Sequence, residues 1–337
     1  MSHLFYQSHD REVMHLRTYL IRRLLLMIPV IVGISIIIFT LINIAPGDPY
    51  RSMLETNPNI SAEDYENMLR HIGYYDPLPV KYFKWVGQLL TGNLGYSISS
   101  KEPIADLLPR RLFNTLLLSL PALILSTLIA VPLGVLSATR QYSRLDYFLS
   151  ILAFIGISIP AFFLALLFIK FIAFDLGLFP IQGISTVASG FTGFRLLLDR
   201  LYHMVLPVAV LTGVQVASRM RYTRSAMLEV IGQDFIRTAR AKGLSERKVI
   251  YKHALRNALI PVITVLSMSL GTILSGAVLT ETVFMWPGMG TMVYTAISNR
   301  DYPVVMAGAM VLAVVMLFAN LLADVMYAVV DPRIRYD

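Results

Sequence analysis

Cysteine is absent from this 337-residue chain. Its absence excludes disulfides, thiol nucleophiles and Cys-ligated metals. Charge is scarce: 15% of residues are Asp, Glu, Lys or Arg against 56% hydrophobic, and mean hydropathy is +0.64. Soluble domains carry about 25% charge, so a soluble globular fold is excluded. The six histidines (His3, His9, His15, His71, His203, His253) are scattered without metal-ligand spacing, and no metal site is expected. There is no H-E-x-x-H, and no G-x-S-x-G either, since Gly156-Ile157-Ser158-Ile159 runs into Pro160. An intramembrane hydrolase therefore has no motif to rest on. No two glycines lie four apart, which removes the G-x-x-x-G dimer signal. A Walker A sequence is missing, so the chain cannot cradle ATP phosphates itself. No strong internal repeat is visible, which disfavours a self-sufficient secondary transporter.

What the chain has is long apolar runs. Six stretches lack Asp, Glu, Lys and Arg: Leu24–Ile42, Leu112–Thr139, Tyr147–Ile169, Leu201–Ser218, Asn257–Thr280 and Tyr302–Ala323. A transmembrane helix needs ~20 apolar residues, and period-2 alternation is missing. The expectation is an all-α membrane protein of six transmembrane helices, the first one retained rather than cleaved. The short loops hold three Lys or Arg on one side and twelve on the other. Positive loops stay inside, so both termini are expected in the cytoplasm.

Residues 1–18 read as a cytoplasmic tail, frayed or lying in the interface as a short helix. Residues 19–111 hold the first span and a long external segment, and 112–337 a five-helix core with a cytoplasmic loop at 219–256. The first span should stop at Ala45-Pro46-Gly47-Asp48-Pro49. Within the external segment, Ser61–Arg70 opens with a capping serine and acids, and Pro79–Leu90 is amphipathic, with Tyr82, Phe83 and Trp85 as interface anchors. Pro121, Pro132, Pro160, Pro207 and Pro261 fall inside spans and should bend them, consistent with a bundle around a path. Lys170, Glu281 and Asp324 lie near span ends. Glu281 is expected at the external mouth, before a turn at Trp286-Pro287-Gly288 anchored in the interface.

The densest charge is basic. Ten of the 29 Lys and Arg lie between Arg219 and Arg256, against three acids, Glu229, Asp234 and Glu246. The pattern is helix–turn–helix: Gln233–Lys242, a break at Gly243, then Ser245–Leu259, with Ser245 as N-cap. Lys242 suits a helix C-terminus, and Gly243 is expected at positive φ. Such a knob fits a partner's groove. A loop satisfying only topology and anionic lipid would carry the same charge, as would a loop on a membrane scaffold.

Arg237-Thr238-Ala239-Arg240-Ala241-Lys242-Gly243 resembles the E-A-A-x-x-x-G motif of ABC importer permeases. Ala239 and Gly243 match. The motif's Glu is Arg237 here, its first Ala is Thr238, and its closing Pro falls at Arg256. The run through Leu244, Ser245, Glu246 and Lys248 to Pro261 is similar to the peptide and nickel branch of that family. So are Ala45–Pro49, Gly156–Pro160, Glu281–Gly290, Asp301–Val304 and Asp331–Arg335. The resemblance covers about residue 19 to the end and is nearest to the "B" permease of oligopeptide and dipeptide importers.

The resemblance implies a type I ABC importer permease fold in a bacterial inner membrane, with Arg237–Glu246 and Lys248 contacting an ATPase. Glu281, Trp286, Pro287 and Gly288 would form an external loop or gate. Implied partners are a second homologous permease, two cytoplasmic ATPases and an extracytoplasmic binding protein, in a lipid bilayer and with no nucleic acid. ATP and Mg would sit in the ATPases, leaving this chain without a cofactor and without enzymatic activity. Peptides are the expected cargo. A nickel or other small-solute importer of the same branch, and a stand-alone secondary transporter, stay open as alternatives.

Overall fold

The structure is a computed structural model that describes residues 2–45, 61–273 and 278–330. Among them the chain is helical, with one isolated antiparallel bridge between Tyr96 and Pro103. Among the described residues five helices are long and apolar enough to cross a membrane, and a bent pair supplies a sixth if its halves form one span. The chain divides into two compact units, residues 1–112 with 292–317, and residues 113–291 with 318–337.

In the first unit, α1 runs over Ser2–Ile44, so helix continues through the segment expected as a tail or short interfacial piece. Of the Ala45–Pro49 motif only Ala45 lies among the described residues, and Asp331–Arg335 lies wholly outside them. Helix α2 spans Ala62–His71, and Ser61 Oγ accepts the Asp64 N–H at 3.1 Å as an N-cap should. Helix α3, Leu78–Leu90, starts after Pro77 and lays Tyr82 and Trp85 against Phe39 of α1, with ring centroids 5.3 and 5.8 Å apart. Phe83 is left 72% exposed.

Helix α4, Ile104–Thr139, begins in this unit and continues into the second. Its extra turns before Leu112 are polar at Asp106, Arg110 and Arg111, because charge marks the bilayer boundary rather than the helix end.

Helices α5 (Arg144–Ser158) and α6 (Ala161–Phe168, continued as a π-helix over Ile169–Asp175) belong to the second unit and correspond to the expected third span. They meet at 100°, far more than a kink. The cause is local: Ile159 (φ −80°, ψ 121°) and Pro160 (φ −59°, ψ 138°) are both extended. Proline offers no N–H to continue α5 and pushes the residue before it out of helical space. Lys170 pairs with Asp175 on the π-helical turn. Helix α7, Gly193–Ile231, is 39 residues long and outruns its apolar core at both ends, and α5 and α6 both pack on it.

After α7 come α8 (Asp234–Ala241), a short α9 (Glu246–Lys248), a π-helical turn over Val249–Ala254, and α10 (Leu255–Ile273). Helices α11 (Val278–Val283), α12 (Met289–Ser298) and α13 (Tyr302–Val330) complete the chain.

Candidate functional site

The basic segment folds into a compact knob. Helix α8 presents Arg237, Thr238, Arg240 and Ala241 to the outside and turns Ile236 and Ala239 inward. It ends at Gly243, whose φ is +76°. The Gly243 N–H donates to Arg240 O (2.9 Å) and the Leu244 N–H to Ala239 O (3.4 Å), the paired bonds of a Schellman stop. Leu244 then packs against the apolar cluster that holds Ala239, as that motif requires.

Across the turn, Arg240 Nε and Nη2 donate to the Glu246 carboxylate at 3.1 and 2.7 Å. This bidentate strap keeps the Arg240 guanidinium more firmly protonated than usual. Ser245 occupies the N-cap position without making a side-chain cap bond, which corrects that expectation. The expected second helix is also not uniform, since six of its residues coil as a π-helix.

The knob is fastened by apolar contacts. Ile236, Ala239, Val249, Ile250 and Ala254 form one cluster with Val135 and Ala138 of α4, Met227 and Val230 of α7, and Ala258 and Val262 of α10. Ile236 and Val249 are wholly buried, each contributing about 1.5–3 kcal/mol. Of the residues singled out by sequence, Arg237, Thr238, Arg240, Ala241, Lys242, Gly243, Ser245, Glu246 and Lys248 form the exposed face. Leu244 is half-buried and Ala239 is the attachment.

The second candidate group, Glu281, Trp286, Pro287 and Gly288, is also brought together, but inside the protein. Glu281 is fully buried; its carboxylate accepts from Thr115 Oγ1 at 2.6 Å and the Thr291 N–H at 3.0 Å. A Cβ at Gly288 would lie 2.2–2.5 Å from that carboxylate, so glycine is what lets the loop close over it. Trp286 is fully buried as well, donating its indole N–H to Asn114 O at 2.8 Å. Asn114 Nδ2 in turn donates to Pro287 O at 2.9 Å. Trp286 is thus a core residue rather than an interface anchor, and Glu281 no open mouth residue. Asn114 supplies the partner that a buried indole needs.

Sequence reasoning missed the groups that hold these elements. Asp146, 3% exposed, accepts from Ser137 Oγ, from the Tyr142 N–H at 3.0 Å, and from Arg224 Nε and Nη2 at 2.8 Å each. It pins the α4–α5 turn to α7. In the first unit, Asp301 accepts from Ser97 Oγ at 2.6 Å and from the Ile98 and Ser99 N–H groups at 3.1 Å. The only advance signals were an acid in the first turn after Ser143 and the Asp301–Val304 motif. Among the described residues, no three His, Asp or Glu side chains gather as a metal site.

The fold defines a class, an all-α protein with several helices long and apolar enough to cross a membrane. The family described as "Binding-protein-dependent transport system inner membrane component" matches residues 130–336, and its N-terminal counterpart matches residues 16–119. The chain is 45% identical over 319 residues to the oligopeptide transport system permease protein AppB of Bacillus subtilis (strain 168), covering 94% of this chain and 99% of that protein. It is 38% identical over 335 residues to the dipeptide transport system permease protein DppB of Escherichia coli (strain K12), covering 94% and 98%. Inward-facing MetNI methionine ABC transporter structures share the fold, one at TM-score 0.55 and 22% identity over 68% of this chain and 99% of that one. The chain therefore belongs to the family of binding-protein-dependent transport system inner membrane components. It is a transport permease with the type I ABC importer fold.

Proposed function

We propose that this chain forms half of the translocation pathway of an ATP-driven peptide importer. A second homologous permease supplies the other half, two cytoplasmic ATPases bind the permeases, and an extracytoplasmic binding protein delivers cargo. Peptide is favoured because the AppB and DppB relatives carry oligopeptide and dipeptide transport in their names and match nearly end to end. Both termini and the knob face the cytoplasm, by the excess of Lys and Arg in the loops on that side.

The observation that carries the coupling role is the exposed face of residues 237–248, held rigid by the Gly243 stop, the Arg240–Glu246 strap and the apolar cluster beneath. A knob fixed to α4, α7 and α10 moves with them. An ATPase that closes on ATP and shifts the knob shifts the spans as bodies. ATP binding thereby supplies a differential stabilisation of one arrangement of the spans.

Purification from native membranes in mild detergent, with mass spectrometry of what is retained, tests this reading. A second permease and a Walker-A ATPase should be recovered, and ATP hydrolysis in liposomes should rise with peptide-loaded binding protein. Recovery of the chain alone, active in uptake without ATP, contradicts it.

A further inference from the structure

The first unit contains a pocket of about 760 Å³ that nothing in the transport reading uses. One wall is apolar, with Phe39 and Ile42 from the last turns of the apolar stretch Ile21–Ile44 and Trp85 from α3. The other carries His71, Lys81 and Lys84. Its depth follows from its walls. Phe39 and Ile42 belong to the last two turns of the apolar stretch, where a spanning helix would leave the hydrocarbon, and Ser35 Oγ hydrogen-bonds Tyr82 Oη at 2.8 Å, holding α3 beside those turns. On α3, Phe83 and Leu90 are 72% and 81% exposed, as suits a helix lying among headgroups.

The charge is unbalanced. Lys84 is paired with Asp76 at 2.6 Å, and Glu66 with Arg70 at 3.5 Å. Lys81 lies over the Tyr74 ring, 5.0 Å from its centroid, and among the described residues no carboxylate comes within ion-pair distance of it. An anion entering here meets Lys81 at once while its apolar part lies along Ile42 and Trp85. A small soluble anion would leave that wall unused. A soluble protein would not reach side chains that belong to a membrane span.

We propose that this pocket binds an anionic phospholipid, its phosphate at Lys81 and the upper part of an acyl chain against Ile42 and Trp85. The lipid ties α3 to the end of α1. The proposal rests on the cytoplasmic orientation given above only for the leaflet, which is the outer one.

The test uses the assembled importer, reconstituted in phosphatidylcholine bilayers with a minor fraction of phosphatidylglycerol, then released into mild detergent for native mass spectrometry. Wild type should retain phosphatidylglycerol in preference to phosphatidylcholine. Lys81→Ala should lower that retention about fivefold, the size of one lysine–anionic lipid contact, and Lys81→Arg should restore it. Excess inorganic phosphate should leave the lipid in place, and displacement by it would mean a free-anion site instead. Equal retention of both lipids, or unchanged retention by Lys81→Ala, overturns the proposal. So does weakened capture of the binding protein by Lys81→Ala with lipid retention intact, which would assign the pocket to that protein. The lipid count does not depend on cargo, so failure of the peptide reading leaves this result standing.

Discussion

Gly243 carries the sharpest residue-scale consequence. Nothing lies within 4 Å of where its Cβ would be, so substitution brings no clash. The cost is backbone strain at φ +76°, roughly 1–2 kcal/mol for most L-residues and least for Asn. Gly243→Val should therefore abolish most ATP-coupled uptake at normal membrane abundance, while Gly243→Asn retains much of it, as measured by peptide uptake in vesicles. Equal uptake by both variants would show that the turn does not aim the knob.

Gly288 is the opposite case. Its φ is ordinary, but a Cβ would collide with the buried Glu281 carboxylate. Gly288→Ala should destabilise the detergent-solubilised protein by about 1–3 kcal/mol in thermal unfolding. Glu281→Ala should do the same for a different reason, leaving Thr115 and the Thr291 N–H without their acceptor.

At the scale of elements, two acids fasten helices that the sequence leaves apparently independent. Asp146 joins α5 to α7, so Asp146→Ala should cost about 1.5–3 kcal/mol, and a double-mutant cycle with Arg224→Ala should recover a coupling energy of that order. Asp301 holds the Ser97 hydroxyl and the backbone N–H groups of Ile98 and Ser99. Asp301→Ala should speed hydrogen exchange across residues 96–103 while exchange in α7 stays unchanged.

These two fasteners also mark the limit of legibility. Apolar runs pointed to the span-length helices among the described residues, and the glycine within the basic segment pointed to the knob, because both signals are local. Asp301 lies about 200 residues from Ser97, and Glu281 over 160 from Thr115. Pairings at such separation leave no periodicity to read. Trp286 was misplaced for that reason: its acceptor, Asn114 O, lies on α4. The break at Ile159–Pro160 was visible as a proline, but its 100° angle was not, because kink and break share one residue type.

At the scale of the whole molecule, the chain has spans, a basic knob and no ATP-binding motif. On the proposed reading another subunit supplies the free energy that moves cargo, and it acts at the knob. The absence of cysteine makes the claim directly measurable, because a single introduced thiol is unique in the chain. Arg247 is exposed on the knob beside Lys248. In native membranes, Arg247→Cys treated with a short thiol–amine cross-linker should give one main adduct, a Walker-A ATPase, whose yield changes when ATP is added. Absence of any ATPase adduct, with peptide uptake persisting after ATP depletion, would contradict the account.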